Sequence, residues 1–388
     1  MDNRYGVEGM HGIGGGGVVS AESERNLRIA EDLCRRGRPQ DSLPYLQEAM
    51  KDKNNYDAEI QFAYLSPDLL FSIEVMESAE KRGRALLKSR LGANCFDDNG
   101  PCVGKFHDIV LTRPYMRVLQ THVRFCFETK QYAKAAGTIM EMMRLCPLDN
   151  LRQRFWLAPF LIRLGRPADA LSLCLAWLDA AKNDTILVRG GTTFPAPSAD
   201  LLPPDIEESY SEYSACDLAY NAALAAFKLW GADSPKAAQL LRIAVRTQRD
   251  ILLKIVMRRP QPKEGSLASR TFNGPEEANE YLWVAQDLWT EPDVWAWINR
   301  DPALTGVLKE CSRPECVTKE TEPGEFKRCS ACWQVAYCAS ACQKEDWKRH
   351  KKDCTVHTQS KKAMKNLVKN KATKMPVVIL KDGILHTA

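Results

Sequence analysis

Seven cysteines and one histidine near the end of the chain have the residue types and spacing of metal ligands. Cys311 and Cys316 are separated by four residues, and the C-x2-C pair Cys329 and Cys332 follows after twelve more. The set is completed by Cys338, Cys342, His350 and Cys354. Structural zinc takes four Cys or His ligands in a tetrahedron. Eight ligands therefore predict two closed zinc sites, with no position left open for catalysis.

The same spacing predicts the element that must position several of these ligands. Cys338 and Cys342 are four residues apart, as are His350 and Cys354, so each pair shares one face of a helix. Trp347 falls between the two pairs, on a face that can pack over the metal. The segment from 311 to 354 has 44 residues, too few to fold by burial alone. We therefore expect the metals to supply much of its folding free energy.

The whole segment 311–354 resembles a MYND-type zinc finger. Tyr337 stands directly before Cys338, and a Q-x3-W-x2-H-x3-C pattern runs from Gln343 to Cys354, as in that family. The one departure is four residues, rather than two, between the first two cysteines. Spacing alone leaves the pairing of the ligands open. The resemblance implies one site of Cys311, Cys316, Cys338 and Cys342 and a second of Cys329, Cys332, His350 and Cys354.

The resemblance also implies a binding function, because MYND fingers mostly bind short proline-containing peptides from other proteins. In some of them a Gln and a Trp line the groove, and Gln343 and Trp347 occupy those positions here. An aromatic ring beside an amide can stack on a proline and hold one backbone group. The alternative for Trp347 is a plain core residue over the zinc.

Composition sets limits on the class of protein. The chain has 388 residues, a net charge of +5 and 14 cysteines. We find no secretory signal, so we expect an intracellular protein, cytoplasmic or nuclear, in which thiols stay reduced and clustered cysteines bind metal. No run of 18 apolar residues occurs, and we expect no membrane partner.

Residues 21 to about 299 have helical periodicity, and we predict that 21–310 is a mostly α domain built from helical hairpins. Positions typical of a tetratricopeptide (TPR) repeat recur: a turn residue, then small residues in the next helix. The turn position is held by Gly37, Lys130, Gly165 and Gly231, and the small positions include Ser42, Ala135, Ala170 and Ala237. The segments 112–117 and 146–150 also resemble a group of TPR-like proteins. The alternative is an irregular all-α domain.

The two ends of the chain differ from this domain. Residues 1–20 are rich in glycine and predict a disordered tail. A phosphate loop is excluded because no strand precedes the glycines and no Gly-Lys-Ser or Gly-Lys-Thr closes them. Residues 355–388 carry seven Lys and one Asp, which predicts a flexible basic tail.

We expect no catalytic activity. The Asn-His-Ser/Cys and Gly-Glu-Glu motifs of SET methyltransferases, which accompany some MYND fingers, are absent from the sequence. The first functional hypothesis is an interaction adaptor, with a peptide-binding zinc finger and a helical array as a second surface. The alternative is a nuclear, transcription-associated regulator that contacts nucleic acid through the finger and the basic tail. The alternation of basic and acidic residues in the finger disfavours that alternative.

Overall fold

The computed structural model describes residues 19–257, 259–263, 272–300, 309–320, 325–332, 335–371, 379–381 and 384–386. The predicted disordered tail lies outside these residues except for 19 and 20. The chain divides into two compact units. The first comprises residues 1–255 and 260–297, and the second comprises 256–259 and 298–388. We call them the helical unit and the finger unit.

Helices account for the regular structure described between residues 21 and 300. They are α1 (Ala21–Arg35), α2 (Pro39–Ala49), α3 (Tyr56–Leu65), α4 (Leu69–Leu91), α5 (Arg113–Glu128), α6 (Tyr132–Leu145), α7 (Arg154–Arg163), α8 (Pro167–Asn183), α9 (Pro204–Tyr213), α10 (Cys216–Trp230), α11 (Pro235–Thr247), α12 (Arg249–Val256), α13 (Pro275–Trp289) and α14 (Pro292–Arg300). Short 3-10 turns lie at Val110–Thr112 and Val188–Gly191. The predicted mostly helical class is confirmed, and no strand occurs in the described part of 21–299.

The turns between paired helices repeat one local geometry. Gly37, Lys130 and Gly165 all have positive φ, at 73°, 59° and 70°. In each turn the following amide bonds back to a carbonyl five residues earlier, as Arg38 N does to Leu33 O at 2.9 Å. This is the bond pattern of a Schellman helix end, which glycine favours because it has no Cβ. The turn at Gly231, with φ 84°, instead uses a bond from its own amide to Phe227 O.

Neighbouring helices pack in chain order. Each helix from α1 to α8 contacts the next one, and α10 contacts α7, α8, α11 and α13. Small residues at the predicted positions are fully buried, including Ser42, Ala135, Ala170 and Ala237, which allows close approach of the helices. This order is typical of stacked hairpins, whereas the specific TPR arrangement stays a prediction.

Two long connections are packed onto this stack. In the segment 184–203, Gly190 is buried and its carbonyl accepts a 2.9 Å hydrogen bond from Trp177 Nε1. In the segment 92–112, Asp98 forms ion pairs with Arg144 at 2.6 Å and with Arg189 at 2.8 Å. The two connections are thereby joined to each other and to α6.

The finger unit contains short strands and one long helix. β1 (Lys327–Arg328) pairs antiparallel with β2 (Ala336–Tyr337), and α15 spans Ser340–Lys371. β3 (Ile379–Lys381) pairs antiparallel with β4 (Ile384–His386). The predicted flexible tail thus begins as helix, because 355–371 contains neither Pro nor Gly and extends a helix that is already nucleated.

Among the described helices, none has both the length and the apolar character needed to cross a membrane.

Candidate metal centre

Four cysteines converge at the start of α15. The Sγ atoms of Cys311, Cys316, Cys338 and Cys342 all lie within 4.8 Å of one another. The Sγ of Cys338 is 3.6 Å from that of Cys316 and 3.5 Å from that of Cys342. The first two cysteines lie in the segment before β1, and the other two come from the turn after β2 and the first turn of α15.

The second cluster lies farther along the same helix. Cys329, Cys332, His350 and Cys354 also bring their ligand atoms within 4.8 Å of one another, and all four residues are buried. Cys329 Sγ is 3.8 Å from Cys354 Sγ, and Cys332 Sγ is 3.4 Å from His350 Nε2. The backbone folds back between β1 and β2 through a 2.9 Å bond from Cys329 N to Val335 O. The structure therefore groups the eight predicted ligands in the interleaved pairing that the resemblance implied.

These spacings fit zinc. A tetrahedral ion with Zn–S near 2.3 Å places two thiolates about 3.8 Å apart, and a thiolate about 3.6 Å from an imidazole nitrogen. The observed separations of 3.4 to 3.8 Å match these values. They are far too long for disulfide bonds, and all 14 cysteines are free. The expected pair of zinc sites is confirmed as two clusters suited to two zinc ions.

Local electrostatics show why a cation belongs in the first cluster. Contacts of Cys316 with the hydroxyl and amide of Thr318 lower the pKa of its thiol to about 6. By contrast, a hydrogen bond with the neighbouring Cys338 thiol, together with desolvation, raises the pKa of the Cys342 thiol to about 12. A bound Zn²⁺ favours the deprotonated form and would allow all four residues to bind as thiolates.

A hydrogen-bond network holds α15 against the hairpin. Tyr337 Oη donates to Asp346 Oδ2 at 2.7 Å, and Arg349 donates to both carboxylate oxygens at 2.7 and 2.9 Å. Arg349 also donates to Ser312 O at 2.8 Å, which connects the helix to the segment 311–316 that carries the first two cysteines. Asp346 is only 4% exposed. The network fixes the helix that carries Cys342, His350 and Cys354.

A buried carboxylate holds together the backbone segments on either side of the first two cysteines. Glu320, 2% exposed, accepts hydrogen bonds from the amides of Phe326 and Lys309, both at 2.8 Å. Sequence reasoning missed this residue and Asp346. The spacing of Asp346 and Arg349, three residues apart on a helix, was a usable signal for one of them. Glu320 had no such signal, because its partners are backbone amides from separate segments.

The predicted groove residues lie on one edge of α15. Trp347 is 41% exposed and its ring lies edge-on to His350, with centroids 5.9 Å apart. Gln343 is partly buried one turn earlier. The Trp347 ring therefore packs against His350 of the second metal cluster and stays partly exposed to solvent.

The helical unit contains a cleft that sequence reasoning did not identify. Its volume is about 450 Å³, and its walls come from α3, α5, α7, α10 and α13, together with residues 150–153. The lining includes Tyr64, Gln120, Arg124, Trp156, Asp217 and Glu277. The motif at 146–150 shapes this wall, because Asp149 accepts bonds from the amides of Gln153 and Arg154 at 2.7 and 2.8 Å and so begins α7.

Comparison with protein families identifies the metal-binding segment. The model of the MYND finger matches residues 309–354. No solved structure matches the chain.

Curated relatives match over similarly short stretches of the chain. The F-box protein At1g67340 of Arabidopsis thaliana is 54% identical over 48 residues, which cover 12% of this chain and 13% of that protein. SET domain-containing protein 14 of Caenorhabditis elegans is 53% identical over 34 residues, 9% of this chain and 8% of that protein. The chain thus spans less than a sixth of the length of these relatives. The finger at 309–354 is a MYND zinc finger, a protein-interaction domain.

Proposed function

We propose that this protein is a non-catalytic, intracellular interaction adaptor whose zinc-loaded finger captures proline-containing peptides of other proteins. The observation that carries the proposal is the exposed ring of Trp347, beside Gln343, on a helix fixed by both metal clusters. One cluster would hold its zinc through four thiolates, and the other through three thiolates and an imidazole. A preorganised aromatic edge loses little entropy when a peptide binds.

Full-length protein and an array of proline-containing peptides provide the test. Trp347→Ala should weaken binding by about thirtyfold, the effect of losing an aromatic anchor. Gln343→Ala should weaken it less, and Lys352→Ala on the same helix is the control. Zinc content is measured for every variant. If the zinc-loaded wild type captures no proline-containing peptide, or both groove variants bind as well as the wild type, the proposal is wrong.

We further propose that the helical unit is a TPR-like array offering a second protein-binding surface. In support, the cleft is walled by the first helices of the pairs α3/α4, α5/α6, α7/α8 and α10/α11, together with α13. Tyr64→Ala, in the cleft, should release partners that Trp347→Ala retains. Tyr45→Ala, also exposed but outside the cleft lining, is the matched control. Loss of the same partners in both Tyr variants would contradict a role for the cleft.

A regulator that contacts nucleic acid remains the second candidate. One relative carries the name Histone-lysine N-methyltransferase ASHR1, of Arabidopsis thaliana, but its 45% identity covers only 43 residues. The likeness covers 11% of this chain and 9% of that protein, so it carries no argument for methyltransferase activity here. Binding through phosphate contacts would fall steeply with salt, whereas binding through an apolar peptide edge would not.

A further inference from the structure

The exposed ring of Trp347 is framed by lysines. Lys344 lies three residues before it and Lys351 four residues after it, so each stands about one turn away on the same side of α15. Lys348 follows Trp347 directly. All three lysine side chains are exposed. The Trp347 side chain thus lies between the second metal cluster on one side and the three lysines on the other.

The acidic residues of the same helix segment do not pair with these lysines. Glu345 pairs with Arg313, and the buried Asp346 pairs with Arg349. Asp353 lies about 120° around the helix from Trp347, on the side away from the lysines. Lys344, Lys348 and Lys351 form no ion pair with any residue in the described ranges. The carboxylates are therefore used to hold the finger together, and the surface beside Trp347 keeps an uncompensated positive charge.

From this arrangement we infer that the peptide captured at Trp347 carries acidic residues beside the segment that contacts the ring. The inference rests on the proposed peptide-binding function and names its charge requirement. An extended peptide advances about 3.3 Å per residue, so an Asp or Glu two residues from the anchor reaches a lysine one helical turn away. Such pairs orient the peptide along α15 and speed its association.

The lysines have a competing explanation in the metal centres themselves. A Zn²⁺ ion with four thiolates carries a net charge of −2, and one with three thiolates and an imidazole carries −1. Surface lysines could serve only to offset this charge. In that case their replacement would lower zinc retention, and the flanking charge of the peptide would have no effect.

Two adjacent lysines separate these explanations. With about 100° of rotation per residue, Lys351 lies about 40° around the helix from Trp347, and Lys352 lies about 140° away. Both are exposed and both change charge equally when replaced by Glu. Only Lys351 borders the tryptophan, so Lys352→Glu is a matched control.

The experiment uses full-length, zinc-loaded protein and an array of proline-containing nine-residue peptides. Each peptide is made with Asp and Glu, with Asn and Gln, or with Lys at the positions that flank the proline. We expect the acidic version to bind tightest. The double variant Lys344→Glu/Lys351→Glu should lose about tenfold of its affinity for the acidic version at low salt, less at high salt, and nothing for the neutral version. Lys352→Glu should bind as the wild type does.

The outcomes are distinct. Equal binding of the three peptide versions, with Gln343→Ala still weakening all of them, overturns the charge requirement and leaves peptide binding intact. Zinc loss in the double variant, with equal binding per loaded finger, assigns the lysines to the metal centres and also overturns the inference. Tighter binding of an unrelated DNA duplex than of any acidic peptide overturns it in favour of nucleic acid. Capture of no peptide at all overturns the proposed function together with this inference.

Discussion

The helical unit and the MYND finger are stabilised by different means. The helical unit buries many apolar residues, among them Trp289, Tyr220, Phe160 and Leu161, each at most 1% exposed. The finger has small cores around Phe326, Tyr337 and the cysteines themselves. A unit with few apolar residues depends on bonds to metal, because area burial alone cannot offset the entropy of ordering its chain. One chain thus contains a burial-dependent and a metal-dependent unit.

Metal removal should give the largest effect and tests this difference directly. Chelation is expected to unfold the finger, because structural zinc supplies on the order of 10 kcal/mol to such domains, and to leave the helical unit folded. Amide hydrogen exchange measures the loss of protection in each unit, and zinc analysis confirms that the metal has been removed. The two-zinc expectation comes from two four-ligand clusters. Equal loss of protection in both units would contradict the comparison.

The same substitution, Cys to Ser, should have different effects in the two units. Cys332 and Cys174 are both completely buried, but only Cys332 belongs to a metal cluster. Cys332→Ser should cost one zinc ion and unfold part of the finger. Cys174→Ser should retain both ions and destabilise the helical unit by about 1–3 kcal/mol, the cost of burying a hydroxyl. Metal content and denaturant unfolding distinguish the two results, and zinc loss from the Cys174 variant would be unexpected.

A closely packed glycine tests whether the helical unit can accommodate one additional methyl group. Gly190 has φ 63°, and an added Cβ would lie 2.8 Å from Met143 Cβ. Gly190→Ala should therefore destabilise the helical unit by about 1–3 kcal/mol through strain and overpacking. Gly37 has φ 73° with open space around it, so Gly37→Ala should cost about 1 kcal/mol. Thermal unfolding compares the two, and an equal cost would show that backbone strain alone matters.

Asp217 should give the helical unit a stability that depends on pH. Asp217 is partly buried in the wall of the cleft, and desolvation there raises its pKa from 3.8 to about 7. A raised folded-state pKa means that the folded unit binds more protons than the unfolded chain, so this contribution to stability is present below pH 4 and is lost as the pH rises through about 7. Asp217→Asn should remove this pH dependence. The difference between the unfolding free energies of wild type and variant, measured across pH 4 to 8, isolates the group, and a flat difference would contradict the burial of its charge.

Local sequence predicts the hairpin turns well because their geometry depends on few neighbouring residues. The repeat pattern places Lys130 at a glycine position, and its φ of 59° matches that placement. The basic composition after Cys354 predicts a flexible tail, and in the structure α15 continues through this stretch to Lys371. Charge density favours disorder in a free segment, but a helix already begun by metal ligands extends at little further cost.

Sequence alone determined the chemistry of this protein: soft thiolate and imidazole ligands at spacings that suit two zinc ions, and a helical periodicity from residue 21 onward. Tertiary structure decided which ligands meet, because cysteines 22 and 25 residues apart come together only through the hairpin and α15. It also decided that Trp347 stays half in solvent and that five helices enclose a cleft. Spacing along the chain specifies a helix face, but the neighbours of that face depend on how distant segments pack, and exposure follows from that packing alone.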